Sequence, residues 1–385
     1  MPFADNRNKI GKYIPAVVFL IFIYGMALWF VFSPKPDYSS SEKRYLQKFP
    51  EVTAEKLLSG EFGSEFETFF ADRFPQRNTW VGLNAYTALA EGNNGASGVY
   101  NCKNGYLINK PVSTENNLDK NIGAVADFAK SIDTPTTVML VPSTGYIVDD
   151  VLPTFHDKYN DDEDISRISS TLSKDKIGFV DLRERFKSEY KNGSQLYYKT
   201  DHHWTTKGAY TGYQELCKAL GVTPIDDSTL KKDSYPDFYG TTYSSSGFWF
   251  TPPDNIEIWN NPKHSDRNIS VKITEGANIK TSGSMYFTDH LKEDDKYPVF
   301  IDGNHALTEI TNSNAKNGTI LLVKDSFSHS LAPFLAENYS KVVLVDLRYY
   351  KESVSELVTT YNPEQVVVLY GIDNLATDTD IVWLK

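Results

Sequence analysis

The chain has 385 residues, of which 40% are hydrophobic and 23% charged, so it is long enough for one large or two modest globular domains. Its formal net charge of −11 lacks the basic footprint of a nucleic-acid-binding protein and excludes that class. Two cysteines are present, Cys102 and Cys217. An oxidising compartment would allow them to pair, and two unpaired core thiols are the simpler expectation.

An uncharged apolar run lies close to the N-terminus. Residues 13–34 carry no charged side chain, and the run is long enough to span the hydrocarbon core of a bilayer as a helix. Arg7, Lys9 and Lys12 precede it, so the positive-inside rule predicts a cytoplasmic tail over 1–12 and an extracellular chain after the run. No small-residue cleavage motif follows. We therefore predict an uncleaved signal anchor that crosses the cell membrane once.

The segment after the anchor is first polar and then helical in pattern. We expect a stalk over 35–55. Apolar side chains recur at helical spacing from 56 to 91, with Pro75 as an interruption. The run 98–108 has β-branched and aromatic flanks around a Lys-Asn-Gly turn sequence, which predicts a hairpin.

Strands and helices alternate through most of the remaining chain. Buried strands are predicted at 136–143, 177–182, 318–327, 341–349 and 364–372. Apolar β-branched runs that alternate with helices indicate a parallel sheet covered on both faces, so the fold class is α/β. Residues 222–300 are polar and rich in Tyr, Ser, Pro and Asn, with short β-like runs. We predict an irregular insertion there, within one extracytoplasmic domain over 56–385.

Ser326 lies where a predicted buried strand turns into a helix, within "LLVKDSFSHS". Sheets of this class carry their chemistry at the carboxyl ends of the strands. A hydroxyl at such a turn, followed by backbone N–H groups, has the position of a nucleophile whose oxyanion is held by amides. Serines at strand-to-helix turns also cap helices without any chemistry, so the position alone does not decide.

A second motif, "TDHHWT", holds two of the seven histidines. If residues 198–203 are extended, side chains two positions apart share a side, so Asp201 pairs with His203 and His202 points away. A carboxylate beside an imidazole fixes the tautomer and stabilises the imidazolium, which makes His203 the predicted base. His329, one turn into the following predicted helix, is a rival base without a carboxylate beside it in the sequence.

The paired histidines also allow a metal-site hypothesis. Asp201, His202 and His203 all carry ligand atoms, but the sequence has no HExxH, no CxxC and no second cluster at ligand spacing. We expect neither a metal nor another cofactor, and the metal hypothesis stays as an alternative. Trp204, the next residue, either forms a wall of the site or anchors the loop in the core.

Three segments together, "TDHHWT", "LLVKDSFSHSLAPFL" and "VVLVDLRYY", resemble the DHHW protein family of bacterial cell envelopes, which is similar to the alginate O-acetylation proteins. The resemblance covers most of the chain after the anchor. It implies an SGNH-hydrolase-like three-layer sandwich that is circularly permuted, with the Asp/His pair before the serine. By the family motif Asp-x-His-Trp it selects Asp201, His203 and Trp204, and it assigns the nucleophile to Ser326.

The resemblance also implies an activity. It indicates an O-acetyltransferase or acetylesterase that acts on a cell-envelope glycan through an acyl-serine, with Ser326, His203 and Asp201 as a triad. A multipass membrane O-acyltransferase is the implied acyl donor, because no soluble acyl-CoA is expected outside the cell. Candidates for substrate-binding or oxyanion residues are Trp204, Ser143, Arg348, Gly303, Asn304 and Tyr370, with Asn374 in the same block as Tyr370.

A protein from another class fits the same residues. The scaffold without a working serine would bind glycans or assist their assembly, and no dedicated carbohydrate-binding module is recognisable after the main domain. Covalent labelling of Ser326 separates the enzyme from the binding protein, and metal content separates both from a metal site at the histidine pair.

Overall fold

The computed structural model describes residues 4–113, 117–264 and 268–384, with side chains from residue 11 onward. Its contacts divide the chain into two compact units, one that ends at Asn84 and one over Ala85–Lys385. The predicted outer domain starts at 56, whereas the structure groups residues 56–84 with the N-terminal helix.

Both units contain helices and strands, and the two alternate along the second unit as the sequence predicts. The helices are α1 (Ala4–Phe32), α2 (Ala54–Ser59), α3 (Glu61–Asp72), α4 (Arg77–Ala90), α5 (Asn117–Ser131), α6 (Thr144–Ile147), α7 (Asp161–Lys174), α8 (Arg183–Lys191), α9 (Thr206–Leu220), α10 (Thr241–Ser246), α11 (Ser328–Leu335), α12 (Val354–Tyr361) and α13 (Ile372–Thr377). The strands are β1 (Tyr38–Ser39), β2 (Arg44–Tyr45), β3 (Gly95–Ala96), β4 (Val99–Asn101), β5 (Leu107–Asn109), β6 (Thr136–Val141), β7 (Gly178–Asp181), β8 (Lys231–Phe238), β9 (Asp254–Asn260), β10 (Ile269–Glu275), β11 (Asn278–Ser282), β12 (Leu307–Asn312), β13 (Asn317–Lys324), β14 (Tyr339–Val345) and β15 (Gln365–Gly371).

The first unit contains the apolar helix and a folded segment after it. Within α1, Gly11–Phe32 is long and apolar enough to cross a membrane, with a mean hydropathy of 2.4. The segment predicted as a stalk, 35–55, carries the two short strands β1 and β2. Arg44 donates to both carboxylate oxygens of Asp72 in α3, at 2.9 and 2.6 Å. A bidentate ion pair of this kind ties the segment to α3, and a polar sequence pattern does not reveal it.

An eight-stranded sheet organises the second unit, in the order β11-β10-β12-β14-β13-β15-β6-β7. The strands from β14 to β7 in that order are parallel to one another, and all five were predicted from apolar β-branched runs. The other three, β12, β10 and β11, continue the sheet with antiparallel pairing. The predicted parallel sheet is therefore confirmed for the centre of the domain, and the whole sheet is mixed.

Helices cover both faces of this sheet. On one face α9 and α11 pack with Leu322 and Trp204 in one buried cluster. On the other face α5, α7 and α12 pack with Val323 in a second cluster. Leu322 and Val323 are neighbours in β13, and successive strand residues point to opposite faces. The three-layer arrangement is the SGNH-like sandwich that the resemblance implies.

The stretch 222–300, predicted as an irregular insertion, is corrected by the structure. It contains the antiparallel pair β8–β9 and the strands β10 and β11, which extend the main sheet. In β8 most side chains are exposed, so "KKDSYPDF" presents no apolar run. The strand β10 alternates between buried and more exposed positions, as expected of a strand with one solvated face.

Two further features set the geometry of the site. The predicted hairpin at 98–108 is confirmed as the antiparallel pair β4–β5. The neighbouring parallel strands β13, β15 and β6 end side by side at Lys324, Gly371 and Val141. The residues that follow these three strands therefore meet at one edge of the sheet.

Candidate functional site

The Asp201–His203 pair is formed by a tight loop. An isolated antiparallel bridge joins Tyr197 to Trp204, and the residues between them bend instead of running straight. The premise of an extended strand at 198–203 is therefore wrong. Asp201 Oδ1 accepts from the backbone N–H of His203 at 2.8 Å and contacts its Nδ1 at 2.5 Å. A local side-chain-to-backbone turn, and not strand alternation, brings the two together.

The second oxygen of Asp201 is also held. The backbone N–H of Thr241 donates to Oδ2 at 2.6 Å, and the Thr241 hydroxyl donates to it at 3.1 Å. A Cβ on Gly240 would lie 2.1 Å from the Cβ of Asp201, so only glycine fits there. Burial alone would raise the pKa of Asp201, but the neighbouring His203 and His202 and these hydrogen bonds lower it well below its usual range.

The turn that carries Ser326 is fixed by its neighbour Asp325. Asp325 accepts from the backbone N–H of Phe327 at 2.9 Å and of Gly371 at 2.8 Å, and from the side-chain amide of Asn374 at 2.7 Å. Burial raises the pKa of Asp325, and these three donors oppose that effect. The carboxylate thus joins the end of β13 to the end of β15 and holds Ser326 at the sheet edge.

Ser326 meets His203 at this edge. His203 Nε2 lies 2.7 Å from Ser326 Oγ, although 123 positions separate the two residues. The ring of Tyr297 stacks on the imidazole with centroids 4.0 Å apart and an angle of 11° between the planes. The Tyr297 hydroxyl donates to the carbonyl of Ser326 at 3.2 Å. Among the described residues, the backbone N–H of Ser326 has no acceptor, so it is available to a bound anion.

Trp204 lies beneath the turn and is fully buried. Its indole N–H donates to the carbonyl of Phe327 at 2.9 Å and contacts Ser330 Oγ at 3.0 Å. Of the two roles considered for Trp204, this geometry is that of an anchor for the loop and for the start of α11. It does not form an open wall of the site.

His202 has a different environment from His203. Its side chain is partly exposed, and its Nδ1 lies 2.7 Å from the hydroxyl of Thr241. Desolvation, with the adjacent His203 as a second cause, lowers the pKa of His202 to about 4, so the ring is neutral at pH 7. Ligand atoms of Asp201, His202 and His203 lie within 4.8 Å of one another. Both ring nitrogens of His203 already have partners, so a metal there would have to displace Asp201 or Ser326.

A buried charge cluster lies behind the turn that carries Ser326. Lys324 donates to Asp346 at 2.9 Å, and its Nζ lies 2.8 Å from His329 Nε2. Burial and this lysine lower the pKa of His329 well below its usual range. The rival base therefore has its Nε2 directed to Lys324 and not to Ser326. Arg348 binds Asp346 at 2.9 and 2.6 Å, and it also donates to the side chain of Asn304 at 2.9 Å.

The other candidates occupy three distinct places. The hydroxyl of Ser143, after β6, donates to Asp373 at 3.1 Å, and Ser143 borders a cleft that His202 and Phe327 also line. The backbone N–H of Gly303 is already engaged by the carbonyl of Phe300, at 3.1 Å. Tyr370 is buried on the opposite face of the sheet, in the cluster with Val323.

Four residues at the site were not among the predicted candidates: Tyr297, Thr241, Asp325 and Asp373. Asp325 and Asp373 carried a usable pattern, because each stands at the carboxyl end of a predicted buried strand. Tyr297 and Thr241 come from the stretch predicted as irregular, and only tertiary contacts bring them to the site.

One family model and several solved structures match the chain. The family model described as DHHW protein matches residues 93–345. No curated protein sequence matches the chain. A solved DHHW family protein from Eubacterium siraeum is 17% identical, with 74% of this chain and 94% of that chain aligned at a TM-score of 0.61. Bacillus cereus PatB1, solved with a sulfonyl adduct, is 20% identical, with 74% and 97% aligned at a TM-score of 0.62. The O-acetyltransferase domain of Pseudomonas putida AlgJ is 14% identical, with 75% and 95% aligned at a TM-score of 0.48.

Proposed function

Because the chain belongs to the DHHW protein family, we propose that it is a serine-dependent O-acetyltransferase or acetylesterase that acts on a cell-envelope glycan. The observation that carries the proposal is the relay from Asp201 through His203 to Ser326, with contacts of 2.5 and 2.7 Å. Such an arrangement recurs on unrelated folds for acyl transfer and is recognised by its geometry and not by sequence position.

In the proposed reaction His203 Nε2 removes the proton from Ser326 as its Oγ attacks the carbonyl carbon of an acetyl ester or thioester. The oxyanion that forms receives a hydrogen bond from the backbone N–H of Ser326. The imidazolium, stabilised by Asp201, returns its proton to the leaving alcohol or thiol. In the second half a sugar hydroxyl or water gives its proton to His203 as its oxygen attacks the acetyl carbon, and His203 returns that proton to Ser326 Oγ as the acyl–serine bond breaks, which regenerates the free serine.

The membrane side of the proposal rests on the N-terminus. The basic residues Arg7, Lys9 and Lys12 precede an apolar helix of sufficient length, so we place the N-terminus in the cytoplasm and the second unit outside. The helix acts as an uncleaved anchor in this proposal. A multipass membrane O-acyltransferase would then supply the acetyl group, and the anchor would hold the domain beside it.

A sulfonyl fluoride reagent tests the enzyme hypothesis directly, and PatB1 has been solved with a sulfonyl adduct. Full-length protein in detergent micelles is treated with the reagent, digested and examined by mass spectrometry. We expect one adduct at Ser326 and none in Ser326→Ala. Ser328→Ala is the matched control, because Ser328 lies on the same turn, is buried and has no hydrogen-bond partner for its hydroxyl among the described residues. An unlabelled but folded wild-type protein would favour the non-catalytic glycan-binding alternative.

The metal alternative has its own readout. The cluster of Asp201, His202 and His203 offers three ligand atoms, so a bound ion would appear as stoichiometric zinc or manganese in the purified protein. We expect the metal content to be the same in wild type and His202→Ala, and labelling of Ser326 to persist after chelation. Bound metal that is lost in His202→Ala, together with labelling of Ser326 that chelation abolishes, would move the chemistry from the serine to a metal.

A further inference from the structure

A cleft beside the triad is not used by the mechanism above. It lies at the edge where β13, β15 and β6 end, and it is bordered by Phe327, His202 and Ser143 among others. Neighbouring strands are ~4.8 Å apart, so groups that follow β15 and β6 lie roughly 5 to 10 Å from a nucleophile that follows β13. That separation is comparable to the width of one sugar residue.

One carboxylate oxygen in this cleft is free to accept a hydrogen bond. Ser143 donates its backbone N–H to Asp161 at 2.7 Å and its hydroxyl to Asp373 Oδ1 at 3.1 Å. Both donors of Ser143 are thereby used. Among the described residues, Asp373 Oδ2 has no hydrogen-bond partner, and Asp373 borders the cleft. Burial raises the pKa of Asp373 to about 6, so the group is mainly ionised at neutral pH.

A second group in the same cleft lacks a partner altogether. Thr242 is 2% exposed, and its hydroxyl makes no hydrogen bond to any part of the chain that the structure describes. Thr242 borders the cleft together with Asp373. Buried hydroxyls are nearly always satisfied in folded proteins, so an orphan in a cleft beside a nucleophile indicates a ligand that supplies the missing bond.

Charge and size limit what this ligand is. The ionisable residues that border the cleft are Asp373, His202 and Tyr159, and none of them is a cation at neutral pH, so an anionic group is disfavoured. A sugar hydroxyl satisfies both groups, because it donates to Asp373 and also accepts from the Thr242 hydroxyl. The cleft is partly open to solvent and its inner volume is ≈ 50 Å³, which holds one hydroxyl-bearing carbon while the rest of the acceptor lies outside it.

We propose that this cleft is the acceptor subsite, in which a hydroxyl-bearing arm of a neutral sugar donates to Asp373 and accepts from Thr242 while a second hydroxyl of the acceptor faces the acyl group on Ser326. The inference rests on the proposed function, since an acceptor subsite presupposes an acyl-serine. Asp373 and Thr242 bind and orient the acceptor and take no proton during the reaction. Neither is needed for the first half-reaction, in which Ser326 is acylated.

The test separates the two halves of the reaction in full-length protein. Acylation is followed by the burst of chromophore from a nitrophenyl acetate ester, and transfer is followed by mass spectrometry of acetylated cellotetraose, a neutral glucose tetrasaccharide. For Asp373→Asn we expect the half-saturating cellotetraose concentration to rise at least about ten-fold, as for loss of a hydrogen bond to a charged group, with the burst rate within about two-fold of wild type. Asp133→Asn is the control, because Asp133 is exposed and precedes β6 at the opposite end of the strand.

Thr242→Val keeps the shape and removes the hydroxyl. We expect it to raise the half-saturating cellotetraose concentration about three- to ten-fold and also to raise the melting temperature, since an unsatisfied buried group is lost. An unchanged acceptor dependence in folded Asp373→Asn would overturn the subsite. Equal transfer to a tetragalacturonate of the same length would overturn the neutral class of acceptor.

Failure of the proposed function looks different from failure of the subsite. The absence of a burst in the wild-type protein would refute the acyl-enzyme itself. Direct binding of cellotetraose to Ser326→Ala, measured by calorimetry, then tests the subsite independently of acylation. Weaker binding in the double variant Ser326→Ala/Asp373→Asn supports the subsite, and equal binding overturns it.

Discussion

Replacement of Trp204 by phenylalanine tests whether the tryptophan of the motif holds Ser326 in place. The change removes an indole N–H that donates to the carbonyl of Phe327 at 2.9 Å and contacts Ser330 Oγ at 3.0 Å, both in the fully buried core. A buried group left without its partner costs about 1–3 kcal/mol, and the smaller ring adds a cavity. We therefore expect Trp204→Phe to lower the free energy of unfolding by ~2–5 kcal/mol.

Two assays together decide the question. Denaturant unfolding, followed by circular dichroism, gives the loss of stability, and the rate of sulfonyl labelling reports the position of Ser326. The carbonyl released by the substitution belongs to the residue after Ser326, so we expect labelling to slow at least about ten-fold under conditions where the variant is still folded. Trp383→Phe is the control, since Trp383 is exposed. A stability loss below ~0.5 kcal/mol with an unchanged labelling rate would refute the anchoring role.

Two further predictions concern carboxylates at the same edge of the sheet. Asp201→Asn should slow labelling of Ser326 by roughly 10³–10⁴-fold with little change in fold, because an amide no longer holds the required tautomer of His203; a loss under ten-fold would contradict this. Burial raises the pKa of Asp161 to about 7, above its unfolded value of 3.8, so the folded protein binds that proton more tightly and loses stability as the pH rises through this range. Asp161→Asn should remove ~2 kcal/mol of the stability difference between about pH 5 and about pH 8, measured by denaturant titration; an unchanged pH dependence would argue that Asp161 is ionised throughout.

The central sheet could be predicted because each of its parallel strands is a local apolar run. The run over β13, for example, reads "GTILLVK". A strand covered on both faces is apolar on both faces, so it stands out as a nearly continuous apolar run. The antiparallel strands β10 and β11 were missed for the complementary reason. β11 is the edge strand and is mostly exposed, and β10 alternates between buried and more exposed positions, so polar side chains recur along both strands and the sequence resembles a loop.

The candidate site was predicted in part, and one step of the reasoning was wrong. Ser326 follows from the strand-to-helix pattern, and the structure brings it to His203. The pairing of Asp201 with His203 was expected from an extended strand, whereas a bent loop closed by the Tyr197–Trp204 bridge produces it. Both conformations bring residues two apart together, so the sequence does not distinguish them. Tyr297 could not be predicted, because its contact with His203 depends on how a distant loop packs.

Two glycines of α9 lie where this helix passes close to Trp204 and its loop. A Cβ on Gly212 of α9 would lie 2.9 Å from the indole ring of Trp204, and one on Gly208 would lie 2.2 Å from the carbonyl oxygen of Leu196 and 2.9 Å from the Cβ of Trp204. The absence of a side chain at Gly212 therefore makes room for the indole, and its absence at Gly208 lets α9 pass close to the backbone of the preceding loop.

The bond between His203 and Ser326 spans 123 positions, whereas Asp201 and His203 meet within one loop. The acid–base pair can thus form early, from local contacts, while the hydroxyl arrives only when β13 has joined the sheet, because long-range closure is slow and comes late in folding. Until β13 joins the sheet, His203 lacks its contact with Ser326. The contact is consequently a property of the finished fold, and an adduct at Ser326 would count correctly assembled molecules.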